Sequence, residues 1–362
     1  MNKHTRLIVS VLFIGIIVLA VAITRFYSRT EKSAVSSGSQ TVIEKKLGSD
    51  SAGNRAFQNS EGLVGIIDSS EHVIVSPEWQ TIRFTSNSDC CIASKRIQNQ
   101  ELYGCIDYAG NIVVPFVYSD IKQASSAERV LYIAQTYDKQ SSVVYNSSFT
   151  PCFSRAWDSC KYNNGELTVA SGSDTYTYTV KNSDFLFKKA VIQGTCKNHP
   201  FSVDVEAPGL TIPMMEKIRD TVAQYINYAY ARSNKDAERL LSEMDIASRE
   251  DFHTLFPNEK KITAKILLDL QDIVVTSSKS RSDNKTHYNV SLTARTKIIY
   301  RNEVNYPTHL IDNYKANIEF TGSSEEDFKA ISGKFLAEKP NYPETQSETQ
   351  PETQQTAAEQ EN

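Results

Sequence analysis

The stretch Val64-Gly65-Ile66-Ile67-Asp68 returns 39 residues later as Tyr103-Gly104-Cys105-Ile106-Asp107. The next residues align too: His72-Val73-Ile74-Val75 with Asn111-Ile112-Val113-Val114, then Trp79 with Tyr118. Another 39 residues on come Val144-Tyr145-Asn146 and Trp157, and a fainter fourth copy starts at Val180-Lys181-Asn182. A fixed period of this length restricts the chain to one supersecondary unit used several times, each copy burying its apolar face against a neighbour. The unit reads as a strand, a turn, a second strand and an aromatic. Asp68, Asp107 and Asn146 share one phase, where an Asx side chain accepts backbone N–H bonds, and Ala109-Gly110 supplies a permissive turn. β-branched residues flank the turn, as a hairpin requires.

Trp79, Tyr118 and Trp157 share a second phase. An aromatic at one phase is expected to pack in the seam between adjacent copies. The other reading is an exposed rail for sugars or peptides, which makes these three the candidate binding aromatics.

The pattern of copy two, Gly104-Cys105-Ile106-Asp107, a turn, Gly110-Asn111-Ile112-Val113-Val114-Pro115 and then Tyr118, resembles the WG-repeat proteins common in bacteria. Copy two, residues 103–121, carries the resemblance best. Copy one has Leu63-Val64-Gly65 where that family places Trp-Gly, and the later copies are degenerate. The resemblance spans roughly residues 57–193. It implies a β-rich repeat module with a binding or scaffold role and no catalytic residues.

Residues 7–24 (LIVSVLFIGIIVLAVAIT) hold no charge and are flanked by Lys3 and Arg6 before and Arg25 and Arg29 after. Eighteen helical residues span about 27 Å, close to the hydrocarbon core of a bilayer. The expectation is an uncleaved transmembrane helix, residues 1–6 being a short segment before it. Ala20-Val21-Ala22 keeps a cleavable signal peptide open as the rival. The flanking charges nearly balance, and the long domain after one anchor is the argument for export. Residues 25–55, rich in Ser, Gly, Lys and Glu, read as a flexible linker. Residues 337–362, with a four-residue Pro-Glu-Thr-Gln period, read as a disordered tail.

All six cysteines, Cys90, Cys91, Cys105, Cys152, Cys160 and Cys196, fall in the central region, and none forms a C-x-x-C. An even number in an exported domain permits disulfides, so all six are candidates, with buried free thiols as the other reading. The module itself is expected over residues 56–195.

Residues 208–336 form a second expected module. Thr211 caps a helix with Pro213 in its first turn, and Met215, Ile218, Val222, Ile226 and Ala229 share one face. Further helices are expected over residues 236–244 and 248–256. Alternation at Tyr288, Val290, Leu292 and Ala294, and at Tyr314, Ala316, Ile318 and Phe320, predicts long half-buried strands. Ile262 to Val275 is expected to pair with them, and a last helix, capped by Ser323 and Glu326, presents Phe328, Ile331 and Phe335. Helices followed by long curved strands resemble the NTF2-like cone, which makes this an α+β module.

Catalysis has little footing. The six histidines include no H-E-x-x-H pair, and there is no G-x-S-x-G, P-loop or dinucleotide fingerprint. No catalytic, cofactor-binding or metal residue is assigned. With 39 Lys+Arg against 43 Asp+Glu, the charge offers no basis for nucleic-acid binding. The chain therefore reads as a single-pass envelope protein, non-enzymatic, bound to the lipid bilayer through residues 7–24. Its bulk would lie outside the cytoplasm and recognise a cell-wall glycan or another envelope protein. A small-molecule sensor or enzyme using the C-terminal cavity is the alternative, and a reversed topology with reduced cysteines is a third.

Overall fold

The computed structural model describes residues 42–86, 89–126, 129–181, 184–280, 285–301 and 309–337. The expected membrane helix at residues 7–24, Asn182 of the fourth copy and the tail from residue 338 lie outside the described residues. Within them, no helix is long and apolar enough to cross a membrane. The chain divides into two compact units, Met1–Ala190 and Val191–Asn362.

The first unit is all β. Strands β1 (Ile43–Ser49), β2 (Arg55–Asn59), β3 (Val64–Ile67) and β4 (Val73–Trp79) pair in sequence order. A second sheet joins β5 (Thr81–Phe84), β6 (Cys90–Ile97), β7 (Gln100–Asp107), β8 (Ile112–Ser126), β9 (Arg129–Thr136) and β10 (Ser142–Tyr145), again in sequence order. β11 (Ser159–Asn163), β12 (Glu166–Ser171), β13 (Asp174–Lys181) and the first part of β14 (Asp184–Cys196) pair in sequence order in a third sheet. β1 corrects the linker reading. It is an edge strand whose side chains are nearly all exposed, so it leaves no apolar alternation in the sequence.

The 39-residue period is a structural register. Val64 pairs with Trp79, Tyr103 with Tyr118, and Ser142 with Trp157. Ile67–Val73, Ile106–Ile112 and Tyr145–Pro151 repeat the same spacing one step further along. The third copy, weak in sequence, therefore keeps the pairing of the first two.

The second unit holds the rest of β14, β15 (His199–Val205), helices α1 (Ile212–Ala229) and α2 (Asn234–Ser242), and strands β16 (Ile262–Lys279), β17 (Thr286–Tyr300), β18 (His309–Thr321) and β19 (Lys329–Phe335). β15 runs parallel to β16, and β16 to β19 are antiparallel in sequence order. α1 begins where the capping residue predicts: the Thr211 hydroxyl accepts the Met214 N–H at 3.4 Å. Its buried face includes Met215, Ile218, Val222, Ile226 and Ala229. The inner face of the sheet buries Tyr288, Val290, Leu292, Ala294, Ile298, Tyr314, Ala316, Ile318 and Phe320.

Two expected helices are absent, for identifiable reasons. Residues 248–256 are irregular because their backbone groups bond elsewhere. Tyr228 Oη donates to the Phe252 carbonyl and Tyr225 Oη to that of His253, both at 2.9 Å, while the His253 N–H donates to Gly333 O. The last predicted helix is strand β19. Asp327 draws the N–H groups and hydroxyls of Ser323 and Ser324 onto its carboxylate, closing a turn in place of a helix cap. The fold class is accordingly mostly β, with two helices among the described residues.

Candidate functional site

The repeat is built on one turn. Asp68 Oδ1 accepts the N–H groups of Ser70 and His72 (2.8 and 2.9 Å), Asp107 Oδ1 those of Ala109 and Asn111 (2.9 and 2.7 Å), and Asn146 Oδ1 those of Ser148 and Thr150 (3.0 and 2.9 Å). Asp50 and Asn59 do the same for Ala52 and Asn54, and for Glu61 and Leu63. Three residues after each Asx, φ is positive: Gly53, Gly62, Glu71, Gly110 and Phe149. The two additional turns carry a legible signal, an Asx three residues before a glycine in Asp50-Ser-Ala-Gly53 and Asn59-Ser-Glu-Gly62.

The glycine before each buried strand end has a separate role. A Cβ on Gly104 would lie 2.5 Å from the Val114 carbonyl oxygen and 2.9 Å from the Phe116 ring. One on Gly65 would lie 2.6 Å from the Val75 oxygen and 2.8 Å from Phe57. An aromatic ring and a partner strand fill the space where a side chain would stand.

The three candidate binding aromatics are buried: Trp79 is 5% exposed, Tyr118 1% and Trp157 0%. Trp79 stacks on Phe116 of the next copy, with centroids 5.0 Å apart. Tyr118 meets Tyr145 of the third copy, hydroxyl to hydroxyl at 2.6 Å. Trp157 packs on Phe153 and Tyr176. They fill seams, and a rail of exposed rings is corrected accordingly. What repeats at the surface is the residue opening the second strand, since Val73, Ile112 and Pro151 are all exposed.

The structure holds all six cysteines as free thiols, against the disulfide expectation. Adjacent strand residues face opposite sides, so Cys90 joins the core that contains Cys105 while Cys91 joins the other. Burial pushes Cys91 up to about 12 and Cys196 to about 11, and raises Cys105 as well. Burial likewise pushes Cys152 and Cys160 to about 12. Such thiols are poor nucleophiles.

Sequence reasoning missed a polar group in the second unit. Lys265 pairs with Ile298, which pairs with Leu310, so all three share the inner face. Strict alternation through Ile262, Ala264 and Ile266 would send Lys265 outward. Register shifts on either side of it, at Ile262/Ala264 and Leu267/Asp269, leave Ile266 exposed and turn the lysine in. Its Nζ donates to the Leu255 carbonyl at 2.5 Å, and burial lowers its pKa to about 8. A lysine inside the apolar run Ile262-Thr-Ala-Lys-Ile-Leu-Leu was the available signal.

On the same face Thr296 donates to the Ala294 carbonyl (3.1 Å), and its hydroxyl lies 2.5 Å from that of Tyr230. Asp312 pairs with Thr296 and Tyr314 with Ala294. Tyr314 is 6% exposed, and its hydroxyl has no hydrogen-bond partner among the described residues. Burial raises its pKa, with the Asp312 charge adding to the effect. Phe256 meets the Tyr314 ring edge-on, at 5.3 Å and 89°, with its own φ at +52°. That backbone region costs a non-glycine residue of order 1 kcal/mol.

The wet face of β17 carries His287, Asn289 and Arg295, as the alternation predicts. His287 Nδ1 and Glu319 Oε1 are 2.6 Å apart, and Ser332 Oγ donates to Glu319 Oε2 at 3.4 Å. No group of three or more His, Cys, Asp or Glu among the described residues is placed to hold a metal ion.

No curated protein matches the chain. A crystal structure of "the eukaryotic initiation factor" is 9% identical, covering 82% of this chain and 77% of its own, with a TM-score of 0.28. KlHsv2 with loop 6CD replaced by a Gly-Ser linker is 8% identical, covering 83% and 88%, with a TM-score of 0.23. Likeness at that level carries no argument. One family model does match, and it falls on copy two of the array: residues 103–126 match the WG containing repeat.

Proposed function

We propose that the chain is a membrane-anchored, extracytoplasmic recognition protein of the bacterial cell envelope, non-enzymatic, binding a wall component or another envelope protein. The observation that carries this reading is the array itself. Three copies in one register commit their aromatics to the seams and leave the same exposed position, Val73, Ile112 and Pro151, repeated along the unit. Repetition multiplies weak contacts, and an anchor at residues 7–24 would hold them at high effective concentration near the membrane. Co-sedimentation of the purified full-length chain with isolated wall sacculi, and cross-linking in intact cells, test the reading. A Val73→Ser, Ile112→Ser double variant is expected to lose binding several-fold. Wild-type protein that neither pellets nor cross-links to any envelope component would refute it.

A second reading keeps the alternative of a small-molecule sensor or enzyme. It is favoured by Lys265 and the unpartnered Tyr314 hydroxyl on the inner face of the second unit. The order of two helices and then long antiparallel strands is the basis for keeping an NTF2-like cup as part of that proposal.

A further inference from the structure

We infer that the inner face of the second unit is a binding site for a small carboxylate bearing an aromatic or apolar tail, and that Leu255-Phe256 occupies it from within the chain. The inference rests on the second reading above and names its ligand class.

The argument starts from what each buried donor lacks. A lysine ammonium carries three N–H groups, and among the described residues Lys265 has one acceptor, the Leu255 carbonyl at 2.5 Å. Tyr314 is buried, and its hydroxyl has no acceptor among the described residues. A buried donor left without a partner is unfavourable unless something else satisfies it. Two donors therefore face the same side of the sheet, one met by a single carbonyl oxygen and the other by none.

The same dipeptide covers both. Leu255 supplies the oxygen on Lys265, and the next residue lays its ring edge-on against Tyr314. An acceptor oxygen followed by an aromatic ring is the chemistry of a phenylalkyl carboxylate. Phe256 makes this contact at φ +52°, a conformation that favours glycine. It is also only half-buried, as is Lys265, so both lie within reach of solvent. Leu255 itself is fully buried, and Tyr225 and Tyr228 pin the carbonyls of His253 and Phe252 just upstream, so the half-buried Phe256 ring is the part that can give way. Loss of the ring then lets a carboxylate, a stronger acceptor than a carbonyl, take the N–H groups of the ammonium that Leu255 leaves unmet.

The test uses 3-phenylpropionate as probe on the full-length chain, with binding read by ligand-observed NMR and calorimetry. Phe256→Gly keeps the backbone conformation and removes the ring, so it is expected to bind the probe at least tenfold tighter than wild type. Adding Lys265→Met to that variant should abolish the gain, and adding Tyr314→Phe should reduce it about fivefold. A cooperative melt of each variant establishes that it is folded. Folded Phe256→Gly protein that binds no tighter than wild type would overturn the inference. Equal binding of 3-phenylpropanol would overturn the carboxylate class while leaving the second reading standing, and binding of neither compound would remove both.

Discussion

Gly104→Ala tests the reading of the repeat where its geometry is tightest. The new Cβ would stand 2.5 Å from the Val114 oxygen, whereas ordinary contact begins at 3.4 Å. β8 or the Phe116 ring must therefore give way by roughly 0.9 Å, and the nearest obstacle is backbone paired across to Cys105. Overpacking of this kind costs about 2–3 kcal/mol. For a unit of this size that corresponds to a Tm lower by about 4–12 °C. Gly65→Ala, at the equivalent position of copy one, should cost as much. Two controls separate crowding from backbone effects. Gly48 has nothing within 4 Å and an ordinary φ, so Gly48→Ala should be neutral or slightly stabilising. Gly110 is equally open but sits at φ +77°, so Gly110→Ala should cost only about 1 kcal/mol. Both tryptophans, Trp79 and Trp157, lie buried in the first unit, so urea unfolding followed by tryptophan fluorescence reads the core that carries the substitution. If Gly104→Ala falls within 0.5 kcal/mol of Gly48→Ala, roughly the scatter of surface substitutions, the close-approach argument is wrong.

Three further outcomes rest on the same geometry. Tyr118→Phe strips the partner from the buried Tyr145 hydroxyl and should cost about 1–3 kcal/mol, while the Tyr118→Phe, Tyr145→Phe double variant should recover much of it; additive losses in the same urea assay would contradict the pairing. The backbone N–H groups of Ser324 and Ser323 hold the Asp327 carboxyl down at about 2, below its ordinary value. Its contribution is therefore complete above about pH 4 and lost as pH falls towards 2, so Asp327→Asn should flatten the acid limb of a calorimetric stability profile. Thiol titration should count few reactive cysteines in the native protein and all six in denaturant without reductant, and a lower denatured count would reveal a cross-link.

How much was legible depended on which interaction fixed each element. The repeat could be read because its turn uses a side chain: an Asx accepting two N–H groups recurs wherever the hairpin does, at Asp68, Asp107 and Asn146. For the same reason copy three holds its register although its apolar residues have drifted. Asp50 escaped because exposed β1, just before it, reads as linker. α1 was legible from its cap and its apolar face. β19 was not, since Phe328, Ile331 and Phe335 recur at near-helical spacing while the deciding contacts are tertiary. A Cβ on Gly333 would lie 2.7 Å from the Phe252 ring and 2.9 Å from Tyr225, and neither residue is local. The inner-face group was hidden by the register shifts of β16. A period-two reading carries no sign of a bulge, and one displaced residue moves Lys265 from the wet face to the inner one.

Topology is the claim on which the functional account turns. Protease shaving of intact, wall-stripped cells carrying an epitope after Asn362 measures it directly. An extracytoplasmic recognition protein predicts loss of the epitope while a cytoplasmic marker survives. An epitope that stays protected until the membrane is permeabilised would turn both units to the cytoplasm and contradict the account.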